Sequence, residues 1–369
     1  MSFIMKHLKD FLKEHREKKG LLIREVAHAM HIDSALVSRY EKGERLPPQS
    51  SLQKFAETLD IAESILTKYW LADKILEQIK PYAEAKDAIA LVEEGMIEYK
   101  KAVKAPLPSS LKKILAEADE LKKEIRKHHP LNTSQLNKLN EYFNTNYTYE
   151  SNRIEGNTLS LQETALVVNK GITISGKSMK EHLEAINHAE ALEYIQDLAK
   201  GKTVISEKLT KELHFLILKT IDKENAGRFR LSDVRITGSK HVPASHYDIP
   251  LEMNKLLQYY NVQKNNLHPV LLAADMHWML AGIHPFIDGN GRTSRLLMNL
   301  LLINKGYVIA NVKGDITSRQ EYYKSLETAQ VNLNTTSFRS LIAQTVVDGL
   351  REYNSLLGTA KSKKVTVKK

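Results

Sequence analysis

Two strongly apolar stretches, residues 270–283 and 296–303, frame a short charged segment rich in glycine. That arrangement constrains the fold more than any other feature of the chain. The first stretch reads as a core helix, with Pro269 at its first turn, where the missing N–H has no helical partner to lose. The second is apolar on every side and must be a helix buried all round. It is too short, and Asn299 too polar, for it to span a bilayer. Helical spacing also dominates elsewhere: residues 8–19, 51–71, 111–128, 179–199 and 321–329 carry apolar side chains three and four apart. Strand patterns are scarce. The best lies in residues 232–242, where Val234 and Ile236 precede Gly238-Ser239 and suggest a short β-hairpin. The expected fold is all-α with one hairpin.

The stretch Lys104-Ala-Pro-Leu-Pro-Ser-Ser110 interrupts the helical pattern. It sets the expected layout: a small helical domain over 1–75, a helical connector over 76–110, a large helical domain over 111–357 and a basic tail over 358–369. The chain has no cysteine, which removes disulfides, thiolate metal sites and cysteine nucleophiles together. At 42% apolar and 27% charged it is composed like a folded protein. Its formal charge is +10, and the tail lysines 361, 363, 364, 368 and 369 lie beyond the last acidic residue, Glu352. Such a tail reads as solvated and disordered, so the charge balance alone is no argument for DNA binding. Residues 1–19 mix lysines with acidic residues, unlike a secretory signal, and a cytoplasmic protein without membrane contact is expected.

In the first domain, residues 22–29 are amphipathic and His31-Ile32-Asp33 can turn the chain. Asp33 or Ser34 can cap a helix over 35–42 that Gly43 stops. Ile32, Leu36, Val37 and Tyr40 then face inward, leaving Ser34, Ala35, Ser38, Arg39 and Lys42 outward. Two short helices joined by a tight turn can place the second in a major groove, with Arg39, Lys42 and Arg45 available to phosphates. The stretch through Ser38-Arg39-Tyr40-Glu41-x-Gly43-x-Arg45 resembles a lambda-repressor-like helix-turn-helix over about residues 8–62. The resemblance implies DNA binding. His31 departs from it, standing where the family usually has glycine, and a bundle kept only for packing or dimerisation is the alternative.

The charged segment is His284-Pro-Phe-Ile-Asp288-Gly289-Asn290-Gly291-Arg292-Thr-Ser-Arg295. A loop feeding a helix N-terminus offers free N–H groups and the positive end of the dipole to an anion. Glycines let those amides come close, and Arg292 and Arg295 add fixed charge on one side of the first turn. Asp288 is a hard oxygen ligand suited to Mg²⁺, and His284 can exchange a proton near neutral pH. Together these residues describe a nucleotide polyphosphate site with a base.

The segment matches the Fic family pattern H-x-F-x-[DE]-G-N-G-R-x-x-R at every defined position, and the chain resembles that family from about residue 135 to 350. Gly227-Arg228-Phe229-Arg230 and Arg319-x-x-Tyr322-Tyr323 support the likeness. It implies a helical core and transfer of AMP from ATP to a Tyr, Thr or Ser hydroxyl of a protein. His284 would then be the base and Asp288 the Mg²⁺ ligand. Gly289, Asn290, Gly291 and Arg292 would hold the α- and β-phosphates, with Arg295 on the γ-phosphate. The hairpin with Val234, Ile236 and Gly238 would be a flap that docks the target. An intact Gly-Asn-Gly-Arg argues against the subgroup that transfers a γ-phosphoryl group instead. A homodimer through the core is among the assemblies implied.

Residues 151–157, Ser151-Asn-Arg-Ile-Glu155-Gly-Asn157, end a helical pattern near 142–157 with a carboxylate against the helix dipole. A cationic partner for Glu155 is expected. The segment resembles the Fic inhibitory motif [ST]-x-x-x-E-[GN], which implies that Glu155 pairs with Arg295, with Ser151 bonding alongside, and blocks productive ATP binding. The expected protein is an autoinhibited adenylyltransferase with a DNA-binding module. The alternatives are a transcriptional regulator whose Fic-like domain senses nucleotide, and a hydrolase that removes AMP.

Overall fold

The computed structural model describes residues 7–90, 107–127, 133–201 and 203–365. The chain divides into two compact units at residues 106 and 107. In the first, α1 (Leu8–Lys18), α2 (Ile23–Met30), α3 (Ser34–Lys42), α4 (Leu52–Leu59) and α5 (Glu63–Ile79) enclose a core of Leu8, Val26, Val37, Phe55, Leu66 and Trp70. Helix α2 ends on His31 in the left-handed region at φ 55°, a conformation uncommon for a non-glycine residue. Asp33 caps α3 by accepting the Ala35 N–H at 2.7 Å. The continuous helix expected over 51–71 is broken. Asp60 adopts φ 56° after α4, and the chain restarts as α5. The spacing of apolar residues survives this break, so periodicity alone does not reveal it, whereas Leu59 and Leu66 both reach the core from separate helices.

The second unit holds α6 (Ser109–Lys127), α7 (Thr133–Ile154), α8 (Leu161–Lys170), α9 (Met179–Ala199), α10 (Glu207–Leu218), α11 (Ile249–Gln263), α12 (Pro269–Ile283), α13 (Asn290–Asn304), α14 (Ile316–Asn332) and α15 (Thr336–Val365). Helices α12 and α13 are its centre. Val270 to Met276 and Leu296 to Leu302 are buried, and α9, α10, α11, α14 and α15 pack around this pair. Because α13 is buried from its first turn, the arginines it carries are buried with it.

No strand occurs among the described residues, so the expected hairpin is corrected to a loop. Residues 231–245 make one turn, closed by the Ser239 N–H donating to the Ile236 carbonyl at 3.1 Å. Side chains take carbonyls at both ends of the loop: Arg230 donates to Ser232 and Ala244. Helix α15 continues to Val365, into the stretch expected as a disordered tail, while Lys368 and Lys369 lie outside the described residues. Residues 91–106 of the connector also lie outside them. Among the described residues no helix is long and apolar enough to cross a membrane.

Candidate active site

His284 terminates α12 in the left-handed conformation at φ 52°. Its Nδ1–H donates to the Ala281 carbonyl at 3.4 Å. That bond fixes the tautomer and leaves the Nε2 lone pair to accept a proton. Burial holds the imidazole below its ordinary pKa of 6.5, and the nearby Arg230 guanidinium pushes the same way. A neutral base is therefore the resting state at neutral pH.

The loop from His284 to α13 is held by side chains. Asn290 clamps it, accepting the Phe286 N–H at 3.0 Å and donating to the Phe286 carbonyl at 2.8 Å. Its amide is thus occupied, and what it can offer an anion is its backbone N–H. Beneath, the His214 ring stacks on Phe286 with centroids 3.7 Å apart. His214 Nε2–H donates to the Asp288 carbonyl and Nδ1 accepts the Gly227 N–H, each at 2.9 Å. Burial pushes its pKa down to about 4, so it keeps both roles as a neutral ring. Gly289 adopts φ 75°, and a Cβ there would press on His214 at 3.3 Å.

Helix α13 begins at Asn290, and its first intrahelical bond runs from Thr293 N–H to the Gly289 carbonyl. The amides of Asn290, Gly291 and Arg292 precede that bond and face the loop. Arg292 is 2% exposed; its Nη1 lies 3.3 Å from Glu184 and its Nη2 3.5 Å from Asp288. Its Nε and Nη1 make no hydrogen bond. Buried donors without hydrogen bonds beside a helix N-terminus can take up an anion.

Arg295, one turn further, is fully engaged. Its Nε donates to Ser151 Oγ at 3.0 Å, and its Nη2 donates to the Ser151 carbonyl at 2.9 Å and to Glu155 Oε1 at 2.7 Å. Nη1 reaches the Tyr322 hydroxyl at 3.5 Å, and Tyr322 donates in turn to His277 Nε2 at 3.0 Å. Burial drives the His277 pKa down to about 3, consistent with an acceptor ring. Glu155 lies just past the end of α7, which Tyr323 pins by donating to the Ile154 carbonyl at 3.2 Å. A Cβ on Gly291 would collide with Glu155 Oε1, so a larger residue there would have to displace the end of the carboxylate that crosses the start of α13.

A cavity of about 480 Å³ opens onto this centre. His284, Gly291, Arg295 and Glu155 line it together with Ile236 and Gly238 from the loop. Val234 is half-buried and lies outside that lining. Asp288 is 52% exposed at its side chain. Among the described residues no cluster of three or more His, Asp or Glu could hold a metal by itself.

The structure thus brings His284, Asp288, Gly289, Asn290, Gly291, Arg292, Arg295, Ser151 and Glu155 to one place. Residue-type reasoning missed His214 of α10, Glu184 of α9 and His277 of α12, which support the centre. The available signal was a polar residue on an apolar helix face: His214 sits one residue after Leu213 in a helix whose buried face includes Leu209, Leu213 and Ile217. In the first unit, Ser34, Ala35, Arg39, Lys42 and Arg45 are exposed and Ser38 is half-buried. Arg16 of α1 forks onto Glu41 of α3 at 2.7 and 2.8 Å, fixing the helix that carries them.

Comparison with known proteins agrees with this geometry. Residues 204–302 match the Fic/DOC family and residues 12–66 match a helix-turn-helix family. Protein adenylyltransferase Fic of Drosophila grimshawi is 41% identical over 184 residues, covering 50% of this chain and 37% of that protein. Its counterpart in Drosophila mojavensis is 37% identical over 217 residues, 58% of this chain and 42% of that protein. The chain therefore spans well under half the length of these curated relatives. A Fic domain containing signaling protein from Bacteroides thetaiotaomicron superposes with a TM-score of 0.60 at 28% identity, covering 66% of this chain and 98% of that one. The second unit thus carries a match to the Fic/DOC family over residues 204–302, and the first carries a match to a helix-turn-helix family over residues 12–66.

Proposed function

We infer that this chain is an autoinhibited protein adenylyltransferase, moving AMP from ATP to a protein hydroxyl. The observation that carries the reading is Arg295, a buried guanidinium one turn beyond an anion-binding helix start, held by Glu155 and Ser151. A triphosphate laid along α13 would meet the open N–H groups, then Arg292, then Arg295. With Glu155 on Arg295 the terminal phosphate has no partner, and the chain of phosphates is denied its working alignment.

Once Arg295 is free, the chemistry follows from the residues present. His284 Nε2 takes the proton of the incoming hydroxyl as its oxygen bonds to the α-phosphorus. The bond from that phosphorus to pyrophosphate breaks in line, and the leaving charge falls on the α13 amides and arginines. Asp288 suits Mg²⁺: one carboxylate oxygen accepts the Gly289 N–H at 2.6 Å, and the other has no protein partner among the described residues. A half-exposed carboxylate with one oxygen left open matches an ion that keeps water and phosphate as its other ligands. Mg²⁺ held there would neutralise phosphate charge.

ATP labelled at the α- or the γ-phosphate tests the reading in the Glu155→Gly variant. Protein labelled from the α-position alone supports it, and label from the γ-position contradicts it. Because Glu155 and His284 line one cavity, a second reading has Glu155 direct water to remove AMP. Release of AMP from an AMP-modified protein by the native chain, lost in Glu155→Gly, would identify it.

The base also sets a pH dependence. His284 must be neutral to act, and burial, Arg230 and His241 lower its pKa against the opposing effects of the Ala281 carbonyl and Glu155. In kcat/KM, which reports the free enzyme, the acid limb is expected below pH 6.5. A limb at pH 7 or above contradicts this assignment.

The first unit is read as a DNA-binding module coupled to the enzyme. Arg39, Lys42 and Arg45 are exposed on and just after α3. Replacing one by alanine should weaken duplex binding by the full chain for any sequence and reduce the salt slope by about one phosphate contact. Unaltered salt dependence in all three variants would remove α3 from the interface.

A further inference from the structure

Arg230 has a side chain with no solvent exposure, and it does not pair closely with any acid. Asp233, its nearest carboxylate, is 3.7 Å away and 66% exposed at its own side chain. The guanidinium is spent on backbone instead. Its Nε–H donates to the His284 carbonyl at 2.9 Å, its Nη1–H to the Ser232 carbonyl at 2.7 Å, and its Nη2–H to the Ala244 carbonyl. The Arg230 N–H donates to the Pro285 carbonyl at 2.9 Å. One planar group therefore joins three points: the left-handed end of α12 and both ends of the loop over 232–244.

That loop has no sheet to hold it. Its tip is tied to α14 by Glu327, which accepts from Ser239 Oγ–H at 3.0 Å and from the Lys240 N–H at 2.5 Å. Its return limb is tied to α12 by His241, whose Nε2–H donates to the Gly282 carbonyl at 2.8 Å. Between these ties the loop lends Ile236 and Gly238 to the cavity that holds His284. In a hairpin, ladder bonds would set the position of such an edge. Here the rigid fork of an arginine does so, and the same fork grips the carbonyl of the base.

We propose that Arg230 is a positioning residue that sets the height of the 232–244 loop over His284, and so whether a hydroxyl-bearing segment is held within reach of Nε2. The proposal rests on reading this cavity as the AMP-transfer site. It separates two functions in space: α13 holds nucleotide, while Arg230 governs presentation of the acceptor.

The test compares Glu155→Gly with Glu155→Gly/Arg230→Lys in the full chain. Lysine keeps the charge but cannot reach three carbonyls with fixed geometry. MgATP affinity, by calorimetry, should stay within about twofold, whereas self-labelling from α-labelled ATP should fall about 10- to 100-fold, as for a reactant displaced by about 1 Å. Hydrogen exchange at the amides of 234–242 should accelerate. Equal labelling, or ATP affinity falling in parallel with labelling, would overturn the assignment. If the lysine variant does not fold, Glu327→Ala loosens the tip of the same loop and must reproduce the split; its failure to do so counts equally against the proposal. Should Glu155→Gly itself give no label, the function reading fails, and unchanged exchange in the loop would still sink the role of Arg230 on its own.

Discussion

Glu155→Gly is expected to raise transfer of label from α-labelled ATP to protein by about 10²- to 10³-fold, the scale on which one preorganised charge contact affects a transition state. In the native chain Arg295 is 1% exposed and makes contacts to Glu155, Ser151 and Tyr322. Removing the carboxylate leaves a buried cation still held by a hydroxyl, a carbonyl and a phenol, but lacking its anion. In the proposed reading a triphosphate supplies that anion. The same substitution should therefore lower thermal stability without nucleotide, because an uncompensated buried charge is costly. It should also enlarge the upward shift in Tm on adding MgATP, because a ligand that binds only the folded state stabilises it. Differential scanning fluorimetry with and without MgATP reads both. A variant as stable as the parent that gains no more from nucleotide would show that Glu155 and the phosphate do not compete for Arg295.

The second large effect runs the other way. His284→Ala in the Glu155→Gly background should reduce labelling by about 10²–10⁴-fold, the usual contribution of general-base catalysis. Nucleotide binding should be nearly unchanged, because the anion-facing groups belong to α13 and its loop amides, whose shape is held by His214 and Asn290. Rates and calorimetric affinities, measured together, separate the two outcomes. Loss of ATP affinity in step with activity would place His284 in binding instead of proton transfer. His284→Asn, which retains a side-chain donor for the Ala281 carbonyl but carries no base, should behave like alanine.

Much of this centre was legible in the residues from 284 to 295. Glycines, two arginines, an acid and a histidine between two apolar helices suggest an anion beside a base, and the structure places them at the end of α12 and the start of α13. That Glu155 needs a cationic partner was legible for a different reason, because a carboxylate at a helix C-terminus is locally unfavourable; only the resemblance to the Fic inhibitory motif pointed to Arg295 as that partner. The supporting shell was not. His214, His277 and Glu184 come from three other helices, and no local rule distinguishes a histidine on an apolar face that packs from one that holds a loop. The missing hairpin has a related cause. Val234, Ile236 and the turn at Gly238 satisfy a local strand pattern, but carbonyls at both ends of the loop are taken by Arg230. The break at Asp60 likewise depends on where two helices meet a shared core, which apolar spacing does not encode.

The central claim is that α13 and its two buried arginines hold a triphosphate with its α-phosphorus toward His284 once Glu155 is withdrawn. Intact-mass spectrometry of Glu155→Gly after incubation with MgATP tests it most directly, with Glu155→Gly/Arg295→Ala alongside. The account predicts covalent addition of AMP to the first protein and far less to the second. A phosphate adduct, or an unmodified first protein that still binds MgATP, would contradict it.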